Sequence, residues 1–517
     1  MPTLNWIGKD KVVNHHLDVP FRVLEEQYTF GDNADGNMII HGDNLDALKA
    51  LLPRFEGRVK CIYIDPPYNT GNEGWVYNDN VNDPKIRKWL GKVVGSEGED
   101  LSRHDKWLCM MYPRLKLLQR LLSDDGFIFV SIDVFEYANL KCIMDEIFGL
   151  QNFRNCIAVR RGIKNVQAQF EEVQALSLGH EYIYVYSRQP SAKMPKLSKA
   201  FEIEKAGKWD TFWRGTDRPT MRYEIFNHKP ETGQWRWEEG RAKRAAKNYA
   251  DYCSMETDMT IDEYYIEHLM ATNEKLDFVR VNETDTVQYY VPPQAGKLLS
   301  DNWMDILLSG SYAGFDTEKN VLILDRITDW ITKDGDIILD SFAGSGTTAH
   351  SVLNMNHKDG GHRKFILVEM EDYAEATTAE RVRRVITGYG EGKKAVEGTG
   401  GGFSFYELGA PLMIDGNLNP DVPEARIREY VYYTETKLPM SPASEAEPHL
   451  LGVHNRAAYY FYYLPDAVTT LNEAFLRTIR TDADSYMIYA DINALDEATM
   501  KRHHITFKKI PRDITLL

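Results

Sequence analysis

Short apolar runs alternate with segments of helical periodicity along the first part of the chain. Met38–His41 and Cys61–Ile64 are apolar runs of strand length, and between them Leu45–Leu52 repeats its apolar residues at helical spacing. The same pattern predicts further helices and strands at Trp107–Leu122, Gly126–Ile132, Leu140–Phe148, Asn155–Ala158 and His180–Tyr186. Strands that alternate with helices are typical of a mostly parallel sheet with helices on both faces.

The alternation stops after residue 188 and returns in residues 310–388. The pattern there predicts helices and strands at Val321–Ile331, Ile337–Leu339, Thr347–Asn354, Phe365–Val368 and Tyr373–Ile386. Glycines between 388 and 402 predict a boundary, and strand-like aromatic runs at Ala458–Tyr463 and Ser485–Ala490 follow it. We therefore predict an α/β fold, a doubly wound and mostly parallel sheet formed by residues 1–188 and 310–388, with an insert at 189–309 and a small α+β domain at 403–517.

Composition limits the classes of partner and cofactor. The formal net charge is −16, which argues against nonspecific coating of nucleic acid but not against a local basic cleft. The five cysteines are scattered, without a CxxC pair or zinc spacing, so we expect free thiols in a reducing cytoplasm and no metal. The sequence has no apolar run of membrane-spanning length and no secretory signal, so we expect a soluble cytoplasmic protein.

A glycine-rich turn follows the predicted strand Ile337–Leu339. The sequence from Asp340 to Thr348 is DSFAGSGTT, in which Gly344 and Gly346 let the backbone approach a ligand and the next helix presents free N–H groups. Glu369 ends the following strand, where a carboxylate can accept both hydroxyls of a ribose. The arrangement predicts a nucleoside-cofactor site. A structural turn or a dinucleotide site is the alternative, although the GxGxxG and P-loop spacings are not met.

The second motif, DPPY, ends the predicted strand Cys61–Ile64. Two prolines cannot continue a sheet ladder, so the carboxylate of Asp65 lies at the carboxyl edge of its strand. A carboxylate and the carbonyl of Pro66 can hold both N–H groups of an exocyclic amine such as adenine N6, and Tyr68 offers a flat face to an extruded base. The alternative is a strand-ending turn with an aspartate cap. The polar stretch Asn69–Asp105 that follows predicts a mobile loop over the site.

Both motifs resemble those of the amino-methylating DNA methyltransferases, and most of all the Mod subunits of type III restriction–modification systems. The catalytic motif precedes the cofactor motif, which is the order of the family's beta class. The matching stretches are Ile62–Gly71, Asp340–Thr348 and Phe365–Tyr373, with weaker matches at Leu4–His16, Gly42–Leu52, Trp107, Arg114-Leu115 and Asp316–Leu324. The resemblance covers nearly everything up to about Gly388.

The resemblance implies a Rossmann-like fold that uses S-adenosyl-L-methionine to methylate adenine N6 at a short sequence in double-stranded DNA. It implies a catalytic role for Asp65, Pro66, Pro67 and Tyr68. The residues that it implies for the cofactor are Asp340, Phe342, Ala343, Gly344, Gly346, Thr347, Glu369, Asp43 and Lys319. It further implies a homodimer and a partner restriction or helicase subunit. There are three alternatives. The chain methylates cytosine N4, or it methylates RNA, or it mainly recognises the target for a partner subunit.

The insert at 189–309 interleaves aromatic and basic residues. Arginine and lysine can contact phosphates or guanine edges, and tryptophan can stack on bases or wedge between them, so we predict that this insert recognises the target. The alternative is an amphipathic helix over Trp235–Tyr249 with a solvated basic face. The candidate DNA contacts are Arg214, Arg218, Arg236, Arg241, Lys243 and Arg244.

Overall fold

The structure is a computed structural model. It describes residues 3–34, 36–70, 84–93, 102–162, 176–255, 257–310, 318–390, 392, 395–441, 446–511 and 514. The chain divides into two compact units, of which one holds residues 1–195 and 301–517 and the other holds residues 196–300. Most of the predicted mobile loop, residues 71–83 and 94–101, lies outside the described residues, whereas Pro84–Val93 within it is helical.

Ten strands of the described chain form one sheet in the first unit. They are β1 (Arg22–Gly31), β2 (Met38–His41), β3 (Val59–Ile64), β4 (Leu122–Ile132), β5 (Phe153–Arg160), β6 (His180–Ser187), β7 (Asn302–Leu307), β8 (Ile337–Asp340), β9 (Lys364–Glu369) and β10 (Gly402–Pro411). Their order across the sheet is β1-β10-β2-β9-β8-β3-β4-β6-β5-β7. The run from β10 to β4 is parallel, and β1 and β6 run antiparallel to their neighbours.

Helices connect the parallel strands and cover the sheet. They are α1 (Lys9–Val12), α2 (His15–Asp18), α3 (Asn44–Phe55), α4 (Pro84–Val93), α5 (Arg103–Leu121), α6 (Tyr137–Phe148), α7 (Val321–Ile331), α8 (Thr347–Asp359) and α9 (Glu380–Thr387). Apolar side chains of α3, α5 and α6 pack with those of β3 and β4 in one core. Burial of these side chains supplies the main favourable term in folding. The doubly wound, mostly parallel sheet predicted from the alternation is confirmed, as is the Rossmann-like fold that the resemblance implies.

The chain reverses its direction of travel across the sheet between β8 and β3. From β8 the chain continues to β9 on one side, and from β3 it continues to β4 on the other. Ile338 and Leu339 pair directly with Cys61 and Ile62. The carboxyl ends of β8 and β3 therefore open side by side, and in a doubly wound sheet this crevice is where ligands bind.

The glycine-rich segment before residue 403 does not lead out of the main sheet. We predicted a separate domain from residue 403, but Gly402–Pro411 is a strand of the ten-stranded sheet, between β1 and β2. Gly400 and Gly401 take positive φ values of 68° and 93°, and the Gly401 carbonyl accepts the N–H of Asp32 at 3.1 Å. The glycines thus turn the chain back against β1. The predicted domain boundaries as a set stay a prediction.

The last hundred residues form a second layer of helix and sheet within the first unit. The helix Glu424–Thr436 precedes a four-stranded sheet of Leu450–His454, Ala457–Phe461, Ser485–Ala490 and Ile505–Lys509, in that order. Val431 and Phe461 share one buried cluster, whereas Ile488 belongs to another on the opposite side. Both predicted aromatic strands are present.

The second unit, residues 196–300, has its own core. It contains strands at Ser198–Lys205, Lys208–Thr211, Val279–Val281, Val287–Val291 and Gln294–Leu298, a short pairing of Trp213–Arg214 with Gln234–Trp235, and helices at Glu239–Ser254 and Ile261–Thr272. The amphipathic helix of the alternative interpretation, Trp235–Tyr249, is present but starts later, because Glu238 caps it through the N–H of Arg241. Trp235 is buried and stacks on Phe212, so part of the aromatic enrichment builds this core.

The helices and the polar clusters of the described residues bear on membrane and metal binding. No helix among them has the length and hydropathy needed to cross a bilayer. They also contain no group of three or more histidine, cysteine, aspartate or glutamate side chains placed to hold a metal ion.

Candidate active site

The DPPY loop leaves the end of β3 and is held on both sides of Tyr68. The indole Nε1 of Trp107, from α5, donates to the carbonyl of Pro67 at 2.7 Å. On the other side, Asn69 is fully buried with φ of 59°, and its Nδ2 donates to the Glu136 carboxylate at 2.5 Å. Since asparagine is one of the few residues that adopts this left-handed conformation readily, it ends the loop at small cost.

Glu136 is the buried anchor of this loop. Its side chain has no solvent exposure, and its second oxygen accepts Nδ2 of Asn139 at 2.8 Å. The imidazole Nδ1 of His104 lies 2.6 Å from the oxygen that Asn69 contacts. A buried carboxylate is tolerated because these polar groups share its charge. Sequence reasoning missed both residues, because Glu136 has no motif around it and Asn69, although it follows Tyr68, is predicted only as the start of the polar loop.

Lys319 supplies the positive charge beside Asp65. Its ammonium Nζ lies 3.1 Å from Oδ1 of Asp65 and donates to the hydroxyl of Tyr68 at 2.5 Å. A second carboxylate, that of Glu181 on β6, lies 3.6 Å from the same nitrogen. Burial raises the pKa of Asp65, and the Lys319 charge and a hydrogen bond with Tyr68 oppose that rise. Glu181 was not among the predicted site residues.

The predicted cofactor turn is shaped by Asp340 at the end of β8. Its Oδ1 accepts the N–H of Phe342 at 3.0 Å, and its Oδ2 accepts the hydroxyl of Thr348 at 2.6 Å. Burial raises the pKa of Asp340 to about 7. Gly346, with φ of 81°, occupies the N-cap position of α8, and a β-carbon there would lie 3.2 Å from the Thr378 carbonyl. The carboxyl of Asp340 therefore folds the turn rather than pointing out of it.

Glu369 ends β9, the strand next to β8, and faces the same turn. Its Oε2 accepts the N–H of Gly344 at 2.7 Å and its Oε1 accepts the N–H of Glu371 at 3.0 Å. Burial raises the pKa of Glu369 to about 7. The N–H of Ala343 donates to the Val368 carbonyl at 3.1 Å, which ties the turn to the end of β9. This is the strand-end carboxylate that the sequence predicted.

A fully buried arginine on α9 forms hydrogen bonds with side chains of the Asp340–Thr348 turn. Arg381, on α9, donates to Oγ of Ser345 at 2.8 Å and to Oγ1 of Thr347 at 3.0 Å. Its guanidinium also forms an ion pair with Glu318 at 3.0 Å, and both side chains are 1% exposed. Sequence reasoning missed Arg381 because an arginine in an amphipathic helix normally faces water.

The segment that follows β2 supplies a third set of side chains at this edge of the sheet. Asp43 caps α3 through the N–H of Leu45 at 2.8 Å, and Arg114 lies 3.2 Å from the same oxygen. Asn44 donates from Nδ2 to the Ser341 carbonyl at 3.1 Å, so this strand end is joined directly to the cofactor turn. Arg114 is 2% exposed, which makes it the buried counter-charge at this edge.

The predicted catalytic and cofactor residues are thus brought to one edge of one sheet, and Lys319 contacts the catalytic motif itself. The six predicted DNA contacts lie in the other unit. Arg241 pairs with Asp277 through two hydrogen bonds of 2.6 and 2.9 Å, and Lys243 and Arg244 form ion pairs with Glu239 and Glu238. Arg236 donates to the Thr211 carbonyl, whereas Arg214 and Arg218 are exposed. The roles of all these residues stay predictions.

Comparisons with known proteins agree with this arrangement. The DNA methylase family matches residues 59–380. The chain is 33% identical over 399 residues to the type III restriction-modification enzyme StyLTI Mod subunit of Salmonella typhimurium strain LT2, covering 71% of this chain and 58% of that subunit. It is 30% identical over 374 residues to the type II methyltransferase M.KpnI of Klebsiella pneumoniae, covering 65% of this chain and 81% of that protein.

Among solved structures, the M1.HpyAVI-SAM complex aligns with 67% of this chain and 98% of its own, at 14% identity and a TM-score of 0.32. The chain spans between 54% and 64% of the length of four type III Mod subunits that it matches. The family match covers more than half of the chain, including both sequence motifs and the strands that carry them. The resemblance drawn from the motifs is therefore confirmed, and this chain belongs to the DNA methylase family.

Proposed function

We propose that this chain transfers a methyl group from S-adenosyl-L-methionine to N6 of adenine at a short recognition sequence in DNA. One observation supports this proposal most strongly: Asp65 and the Asp340–Thr348 turn lie at the adjoining carboxyl ends of β3 and β8. One loop presents acceptors for an amino group and the other presents a nucleoside-type cradle. Family membership supports the same reaction class.

The residues at the turn fit S-adenosyl-L-methionine. Gly344 has φ of 51° and a β-carbon there would meet no atom within 4 Å, so the turn is open on that side. Glu369 is the carboxylate that would accept the ribose hydroxyls, in place of the Gly344 N–H that it accepts here. When bound, S-adenosyl-L-methionine supplies an electrophilic methyl group on sulfonium.

The DPPY loop performs the other half of the chemistry. The amino nitrogen of adenine is a weak nucleophile because its lone pair is delocalised into the ring. Asp65 and the carbonyl of Pro66 would each accept one of its N–H groups, which favours a pyramidal nitrogen with its lone pair directed outward. The Trp107 bond to Pro67 and the Asn69 bond to Glu136 fix the loop before the base arrives. Tyr68 would form one wall of the pocket for the extruded base.

The head of the motif is aspartate rather than serine, which favours adenine over cytosine N4. We propose that the chain acts as the modification subunit of a type III-like restriction–modification system, as a homodimer with a partner restriction subunit in the cytoplasm. The similarity to Mod subunits over 71–73% of the chain supports this assignment.

The experiment is sequencing with single-molecule detection of modified bases, on DNA from a methylation-free host that expresses this chain alone. We expect methylated adenine at one recurrent short motif, and no modification from a host that expresses the Asp65→Ala chain. Modified cytosine at such a motif would overturn the choice of base. The absence of any modification, in a host where the protein is folded and expressed, would contradict autonomous DNA methylation.

Substitution of Gly344 tests the cofactor turn. In Gly344→Ala the new side chain meets no neighbour but must take a φ of 51°, which costs about 1–2 kcal/mol. Relaxing that strain moves the turn, so we expect the Kd for S-adenosyl-L-methionine, measured by calorimetry, to rise about tenfold. Gly335→Ala is the matched control, because Gly335 has φ of 78° and equally open space but lies before β8. Equal affinities of Gly344→Ala and Gly335→Ala for S-adenosyl-L-methionine would contradict the assignment of this turn to the cofactor.

Substitution in the insert tests target recognition. Arg214 and Arg218 are exposed, and no ion pair links either to any other residue that the structure describes. If they contact phosphates, Arg214→Ala and Arg218→Ala should each weaken DNA binding and reduce the slope of log K against log salt by about 1. Lys501→Ala, at an exposed lysine outside the insert that already pairs with Glu497, is the control with little expected change. Unchanged salt slopes in both arginine variants would remove them from the interface.

A further inference from the structure

The ammonium group of Lys319 fills the acceptor site that the proposed reaction reserves for the target base. It contacts Asp65 at 3.1 Å and the Tyr68 hydroxyl at 2.5 Å, and it lies 4.8 Å from the centre of the Tyr68 ring. The Asp65 carboxylate is the acceptor that an extruded adenine would use, and the Tyr68 hydroxyl is at the edge of the ring against which the base would lie. A cation and an amino group cannot both occupy the same position beside Oδ1 of Asp65.

Glu181 offers Lys319 a second place to bind. The Glu181 side chain is 5% exposed on β6, and its Oε2 lies 3.6 Å from the Lys319 ammonium. A charge-assisted hydrogen bond is normally about 2.7–2.9 Å long, so this contact has room to shorten. The other oxygen, Oε1, lies 3.5 Å from Nε of Arg161, which leaves Oε2 directed toward Lys319.

We propose that Lys319 is a stand-in for the target amino group, and that Glu181 is the positioning residue that receives the Lys319 ammonium when the base enters. This inference rests on the proposed function and adds a step to it. Entry of the base exchanges the Lys319–Asp65 contact for a Lys319–Glu181 contact, while the positive charge stays inside the site. No proton is transferred, and no covalent bond forms or breaks.

Charge explains why a second carboxylate belongs here. Lys319 is 11% exposed, and moving its ammonium from Asp65 into an apolar space would leave a buried charge without a partner. Glu181 replaces that partner, because its Oε2 lies 3.6 Å from the ammonium and can form a charge-assisted bond of about 2.7–2.9 Å with it after the ammonium has left Asp65.

The test measures base extrusion separately from methyl transfer. A duplex with 2-aminopurine next to the target adenine, in the motif found by sequencing, keeps the target amino group. It reports extrusion as a rise in fluorescence, because the 2-aminopurine loses its stacking partner when the adenine leaves the helix. In Glu181→Gln we expect the extruded fraction and kcat/KM for DNA to fall about tenfold, because Lys319 then has only Asp65 as an anionic partner. The Kd for S-adenosyl-L-methionine should stay unchanged.

The double variant decides the mechanism. Lys319→Met removes the stand-in, so Glu181→Gln/Lys319→Met should recover wild-type extrusion although methylation stays low. Glu146→Gln is the matched control, because Glu146 is a partly buried carboxylate that pairs with Lys9 at 2.8 Å on another part of the same unit. Circular dichroism confirms folding of each variant.

Two results would overturn the inference while the wild-type chain still methylates DNA. One is wild-type extrusion in Glu181→Gln. The other is an extrusion defect in Glu181→Gln that persists in the double variant. A wild-type chain that methylates no adenine would instead overturn the proposed function itself, so the two failures are distinguishable.

Discussion

Replacing Asp65 with alanine is expected to lower the rate of DNA methylation about 10³-fold while binding of S-adenosyl-L-methionine persists. Asp65 is the charged acceptor of the DPPY loop, and its removal takes away the group that would orient the amino nitrogen. The cofactor turn does not depend on it, because Asp340 is satisfied by Phe342 and Thr348. Transfer of tritiated methyl groups into DNA measures the rate, and calorimetry measures cofactor affinity.

The isosteric variant Asp65→Asn separates charge from shape. Its amide keeps one acceptor at the same place but loses the attraction to Lys319. We expect an activity between those of the wild type and Asp65→Ala. Loss of cofactor binding in either variant would show that the division of labour between the two loops is wrong. Near wild-type methylation in Asp65→Ala would remove the residue from the reaction altogether.

The main sheet could be predicted because its signals are local. Val321–Ile331 is a helix over the residues that its periodicity indicates, and the turn after β8 carries glycines at the positions where φ is positive. Asp65 and Glu369 each end an apolar strand, and the carboxyl ends of parallel strands lie at the same edge of the sheet. The local pattern therefore fixes the two sequence motifs in space without knowledge of the side-chain packing.

The supporting residues of the site could not be predicted, because tertiary contacts create them. Glu181 lies in an alternating strand, Glu136 lies at the start of a helix, and Arg381 lies in an amphipathic helix. In each of these settings a charged residue usually faces water. Only the packed structure shows that each meets an opposite charge or a set of hydrogen-bond partners inside the protein.

The wrong helix start in the insert has a similar cause. The run from Trp235 to Tyr249 has mixed aromatic and basic residues, but Trp235 pairs with Trp213 in a strand and packs into the core of its unit. Glu238 then caps the helix. The extra strand at Gly402–Pro411 likewise depends on a partner, β1, that lies almost four hundred residues earlier in the chain.

Arg381→Leu is expected to lower the free energy of unfolding by about 3–5 kcal/mol, the usual cost of removing one partner from a buried ion pair. The substitution removes the guanidinium that lies 3.0 Å from the Glu318 carboxylate, where both side chains are 1% exposed. It also takes the donors from Ser345 and Thr347, so the cofactor turn loosens. The shift of the urea midpoint measures stability, and calorimetry with S-adenosyl-L-methionine measures the turn.

Arg383→Ala, two residues along the same helix, is the matched control. Arg383 is 24% exposed, pairs with Glu375 at 2.6 Å and donates to the Tyr28 hydroxyl at 2.5 Å. Its removal should therefore cost more than the about 0.2–1 kcal/mol of an exposed pair and less than the about 3–5 kcal/mol of a buried one. In Arg381→Leu/Glu318→Leu no charge of this pair is left buried, so part of the lost stability should return because the desolvation cost disappears with the charge. Equal losses in Arg381→Leu and Arg383→Ala would contradict a buried clamp. A double variant no more stable than Arg381→Leu would show that the loss comes from packing rather than from an isolated carboxylate.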